Sequence, residues 1–143
     1  MKLRFFLVAG LPVAVMVTAV IVVRSESGER DKCVDFLLSY GWEVSAEEKE
    51  SVQINIPAVF DEVYKSYNKL QKEAGLDLQP YAGKSGTRYS FTVTNYPIDV
   101  GETVYADVIC VDGTPVAGDI MTVSLHGFMH SLSVNVPEHK QDI

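Results

Sequence analysis

The stretch Thr103 to Leu125, TVYADVICVDGTPVAGDIMTVSL, holds two apolar-rich runs separated by Asp112-Gly113. Asp-Gly between such runs is a strong hairpin signal, because a two-residue type I′ turn needs positive φ at both central positions. A strand over Thr103–Val111 and another over Val116–Leu125 are therefore expected as antiparallel neighbours.

Upstream, Tyr89, Phe91 and Val93 alternate with Arg88, Ser90, Thr92 and Thr94, and Val52, Ile54 and Ile56 alternate with Ser51, Gln53 and Asn55. Period-2 alternation marks strands with one buried face. Asn95-Tyr96-Pro97 ends the first of these runs. Pro57 ends the other and suits the first turn of a helix, expected over Ala58–Ala74. That helix carries a stripe of Phe60, Val63, Tyr64, Tyr67, Leu70 and Ala74, with acids in its first turn and lysines toward its end. Glu29–Tyr40, with Cys33, Val34, Leu37 and Leu38 on one side and Gly41 behind it, reads as a second helix. Leu76–Gly86 reads as a loop. Leu132, Val134 and Val136 read as a short last strand before a polar tail. The fold class is α+β: a meandering antiparallel sheet with about two helices over one of its faces.

Ahead of this domain, Phe5 to Val23 is 19 residues without a charge. As a helix it would cover about 28 Å, close to the hydrocarbon thickness of a bilayer. A cleaved signal peptide is the rival reading, but apolar residues continue through Val20-Ile21-Val22-Val23, past its Val17-Thr18-Ala19 cleavage site. The expected organisation is a transmembrane anchor over residues 1–24, a linker over 25–31, a domain over 32–136 and a tail over 137–143. Lys2 and Arg4 on the short side favour an extracytoplasmic C-terminal domain at the cell membrane. All 19 Asp and Glu lie after Arg24, against nine Lys and Arg there, a balance of −10. Such a surface repels phosphate backbones, so nucleic acid is excluded as a partner.

Candidate chemistry is sparse. Gly83-Lys84-Ser85-Gly86 holds the Gly-Lys-Ser of a phosphate loop, but Leu78 stands where the pattern needs glycine. His126 and His130 are four apart and are weak metal candidates, with Asp119 or Cys110 as a third ligand. Cys33 and Cys110 read as small buried hydrophobes, and could pair in an oxidising compartment. The carboxylates, Asp107, Asp112 and Asp119 among them, fall mostly in runs or on outward faces, where solvation is their ordinary role. Tyr81 and Tyr96, in loops beside Pro80 and Pro97, are candidate partner contacts. No cofactor and no catalytic residue is implied. The leading expectation is a binding or regulatory module for an envelope protein or peptide. The alternatives are a small metal-assisted hydrolase using His126 and His130, and a structural envelope protein.

The segments Phe36–Val44, Ile56-Pro57, Phe60–Tyr64, Tyr67-Asn68, Val93–Pro97, Val111–Gly113, Gly118–Ile120 and Gly127–His130 resemble a domain-of-unknown-function family. Its members are short single-pass membrane proteins of Gram-positive, clostridia-like bacteria. The resemblance spans about residues 32 to 132 and implies a membrane-tethered extracytoplasmic domain, with no activity, cofactor or site residue attached. The Asp-Gly hairpin followed by Gly-Asp-Ile is also similar to the last hairpin of PepSY-type domains, which are thought to bind or inhibit peptidases; this is analogy alone.

Overall fold

The computed structural model describes residues 28–133. Its elements are α1 (residues 28–39), β1 (Glu50–Asn55), α2 (Glu62–Glu73), β2 (Ser85–Thr92), β3 (Tyr105–Val111), β4 (Thr114–Met121) and β5 (Met129–His130). A short 3-10 turn, Gln79–Tyr81, precedes β2. The strands form one antiparallel sheet in chain order, β1-β2-β3-β4-β5. The expected hairpin is present, with φ of 51° at Asp112 and 75° at Gly113.

One face of the sheet presents Tyr89, Phe91, Ala106, Val108, Cys110 and Ile120 to Cys33 and Leu37 of α1 and to Trp42. The other presents Ile109, Val111 and Ala117 to Phe60, Tyr64 and Tyr67. The helices thus cover opposite faces, not one face as expected from their order. β3 is apolar on both sides, with Ala106, Val108 and Cys110 on one and Ile109 and Val111, joined by Ala117 of β4, on the other, so each side needs its own cover.

Helix α2 starts at Glu62 instead of Ala58, because the Asp61 carboxylate accepts the Tyr64 N–H at 2.9 Å and acts as N-cap. Pro57–Phe60 is an irregular lead-in that still buries Phe60. The helix is also rotated from its apolar stripe. Asn68 and Gln71 are buried, whereas Val63 is 72% exposed. Asn68 accepts the Leu78 N–H at 2.7 Å and donates to Asp77 at 2.9 Å, and Gln71 Oε1 accepts the Gly118 N–H at 2.9 Å. Two polar side chains are drawn inward because buried backbone donors need acceptors.

The loop after α2 ends at Lys84, and Ser85 and Gly86 belong to β2. A Cβ on Gly86 would lie 2.5 Å from the Cys110 carbonyl oxygen, so the glycine serves strand approach. β4 stops at Met121, short of Leu125. Beyond it, Val123 and Leu125 project from a turn closed by Thr122 N–H to Phe128 O and Gly127 N–H to Ser124 O. The last strand is Met129–His130, earlier than expected, and Leu132 follows it into the core. Among the described residues no helix is long and apolar enough to cross a membrane. Phe5–Val23, Val134, Val136 and the tail lie outside the described residues.

The β3–β4 hairpin carries one irregularity that bears on the site. Cys110 pairs with Pro115 but Ile109 pairs with Ala117, which leaves Val116 as an extra residue on β4. The shift brings Asp107 opposite Asp119. An unbroken register about Asp112-Gly113 would have put Gly118 there and turned Asp119 to the α1 face.

Candidate functional site

A row of polar side chains crosses the sheet on the α2 side. Glu50, Ser90, Asp107 and Asp119 are successive register partners on β1 to β4. Arg88, two residues before Ser90 on the same strand face, stands beside the row. Helix α2 covers the sheet only partly at this place and leaves an open cleft of about 890 Å³. Its floor holds Arg88, Asp107, Ile109 and Asp119, and its helical wall holds Val63, Tyr64, Tyr67 and Leu70. Met121 and Met129 line the β4–β5 end. The apolar stripe of α2 is therefore shared between core and cleft.

Asp119 is only 2% exposed. Its Oδ2 accepts the Tyr67 hydroxyl at 2.7 Å, while its Oδ1 is buried without a hydrogen-bond partner. Burial, and next the negative charge of Asp107, push its carboxyl up to about 7; the Tyr67 hydrogen bond and Arg88 oppose the rise. Asp107 accepts the Ser90 hydroxyl at 2.6 Å and lies 3.9 Å from Arg88 Nε, beyond hydrogen-bonding range. Burial raises its carboxyl too, against Ser90 and Arg88. The Tyr67 phenol is raised by burial, then by Asp119 and Asp107, with Arg88 opposing. The Arg88 Nε is buried without a partner. An apolar cleft with perturbed carboxylates and unsatisfied polar atoms at its base has the make-up of a binding site.

The residues singled out in the sequence lie elsewhere. Tyr96 stacks on Trp42 with ring centroids 5.8 Å apart, and its hydroxyl meets His130 Nε2 at 3.0 Å. The other ring nitrogen of His130 lies 2.7 Å from the Ser131 carbonyl, which can only accept, so Nδ1 carries the proton and Tyr96 donates to Nε2. Both nitrogens of His130 are thus used within the protein. Phe128 stacks on the same imidazole at 5.4 Å, and His126 is exposed in the turn before β5. Tyr81 packs half-buried against the α2-side core, with Lys84 Nζ 5.9 Å from its ring centre. Among the described residues no group of three or more His, Cys, Asp or Glu could hold a metal ion. Cys33 and Cys110 are free and buried, with their sulfurs 3.0 Å apart.

Sequence reasoning passed over Asp107 as an outward-facing carboxylate and weighed Asp119 only as a third ligand for His126 and His130, which the fold does not bring to it. Both carboxylates do face away from the α1-side core, but α2 covers that face. The available signal was their near-equal distance from the Asp112-Gly113 turn, which places them almost opposite each other.

The family described as a domain of unknown function (DUF4830) matches residues 36–120, and the chain belongs to it. No curated protein and no solved structure matches the chain.

Proposed function

We propose that this family member is a membrane-anchored, extracytoplasmic binding module that holds an envelope protein or peptide in the cleft between α2 and the sheet. The cleft carries the reading. Its volume falls in the range of sites that enclose small ligands or a few side chains, and it joins apolar walls to a few buried polar groups. Val63 and Met129, 72% and 46% exposed, border it with apolar surface that the fold itself does not cover. The uncharged run Phe5–Val23, with Lys2 and Arg4 before it, supports the anchor and its orientation.

Photo-cross-linking in intact cells tests this reading. With a photoreactive phenylalanine derivative in place of Val63, the full chain should cross-link one envelope protein. Adding Ser66→Trp, which fills the cleft from the exposed face of α2, should abolish that product. A C-terminal alkaline phosphatase fusion should be active, as the enzyme works only outside the cytosol. Cross-links unchanged by Ser66→Trp, or a silent fusion, would overturn the proposal.

A further inference from the structure

Taking the cleft as a binding site, we infer that it receives a basic side chain of the partner, a lysine or arginine whose aliphatic stem lies on the apolar wall and whose charged end meets Asp119. The polar floor holds two carboxylates, Asp107 and Asp119, against one guanidinium, Arg88. The remaining charged group at the cleft, Glu62, is already shared with Lys65 at 3.2 Å. With both carboxylates ionised, the floor thus has a negative charge in excess. Asp119 holds the open position, since it is 98% buried and its Oδ1 has no partner.

A cationic N–H donor supplies what this oxygen lacks and offsets the excess charge. A phosphate or carboxylate would meet like charge. A neutral amide would fill the hydrogen bond and leave the charge. The apolar wall suits the methylene stem of a long basic side chain. The described residues, with eight Lys and Arg against 16 Asp and Glu, also attract a basic partner at a distance.

The probes are acetyl-Leu-Lys-Leu-amide and its norleucine counterpart, which keeps the stem and removes the ammonium. Each is titrated to about 10 mM, enough to detect millimolar affinity, into the isotope-labelled full chain in mild detergent, followed by NMR. The lysine peptide should shift the amide signals of Val63, Tyr67 and Asp119 and bind at least about tenfold tighter than the norleucine peptide. Asp119→Asn should reduce it to the norleucine level. Equal binding of both peptides in the cleft would overturn the basic-group inference and leave the binding site standing. Shifts confined to other surfaces would overturn both, and no shift with either peptide would overturn the inference alone.

A second site rests on a separate observation. Cys33 on α1 and Cys110 on β3, 77 positions apart, are both buried and hold their sulfurs 3.0 Å apart. We propose that they close a structural disulfide when the domain folds in an oxidising compartment. Each thiol gives up a proton and the pair gives two electrons to a disulfide oxidant, glutathione disulfide or an oxidoreductase, which leaves as two thiols. The contact with Cys110, and then burial, push the Cys33 thiol well above its ordinary range. Exchange needs a thiolate, so the bond forms during folding and then resists reduction.

The full chain, unfolded and reduced, is refolded in a glutathione redox buffer or in dithiothreitol. The first product should be lighter by two hydrogens, show no thiol toward a maleimide in denaturant, and melt roughly 10 °C higher than the second. Two free thiols after refolding with glutathione, or a lower melting point for the oxidised form, would overturn this assignment.

Discussion

Asp119→Asn is expected to raise the melting temperature of the full chain at pH 8 by roughly 10 °C and to flatten its stability between pH 4 and pH 7. The folded protein holds the Asp119 carboxyl proton up to about 7, against about 3.9 in an unfolded chain. Where a folded-state carboxyl is raised, the folded form binds the proton more tightly. Stability is then greatest below the unfolded value and declines as pH climbs to the folded value, after which it levels off. The difference sets an upper bound of about 4 kcal/mol on the loss. Asparagine keeps the shape and an oxygen for the Tyr67 hydroxyl but has no charge to desolvate.

The charged and titrating groups facing Asp119 are Asp107 on β3, Arg88 on β2, and Tyr67 and Glu62 on α2. Asp107 is raised in the same direction, so some slope remains in the variant. Tyr67 titrates above the window. Thermal melts across pH 4 to pH 8 provide the check, and an unchanged slope with no gain at pH 8 would refute the prediction. A gain would mean that the domain keeps a destabilising charge at the base of its cleft, which fits a group retained for contact with a partner.

Trp42→Ala should have the largest destabilising effect, about 3–5 kcal/mol. The indole is 6% exposed, stacks on Tyr96 with the rings 12° from parallel, and donates its Nε1–H to the Leu132 carbonyl at 2.9 Å. It therefore ties the segment after α1 to the chain beyond β5, 90 positions away. A loss of that size takes up much of the 5–15 kcal/mol typical of a whole domain. Trp42→Phe keeps the stack and loses the hydrogen bond, with an expected cost of about 1–3 kcal/mol. Val63→Ala, on the exposed side of α2, should stay within about 0.5 kcal/mol. Trp42 is the single tryptophan, so urea unfolding has to be followed by circular dichroism. A Trp42→Ala protein as stable as Val63→Ala would show that this contact does not hold the two ends of the domain together.

Much of the fold was legible in the residues. Alternation in β1 and β2 and the Asp112-Gly113 turn were readable because they depend on neighbours in sequence: side chains alternate along any strand, and few dipeptides accept two consecutive positive φ values. Helix α1 was readable from the spacing of Cys33, Leu37 and their neighbours. The site was much less so. Tyr81, Tyr96, His126 and His130 stood out by type or position, yet the fold uses Tyr96 and His130 to pack against Trp42. Asp107 and Asp119 looked like solvated carboxylates, since nothing in the chain announced that a helix would come to rest above them.

Local patterns were enough for the two helices, the first four strands, their order and the antiparallel hairpin at their centre, because sterics and period-2 or period-3.6 spacing act within a few residues. It took the packed molecule to put α1 and α2 on opposite faces, to turn Gln71 of α2 inward and Val63 outward, and to set Asp119 beside Asp107 through one extra residue at Val116. Those outcomes depend on which surfaces are left to cover and on where buried N–H groups such as that of Gly118 find an acceptor. Packing resolves such demands over the whole molecule at once.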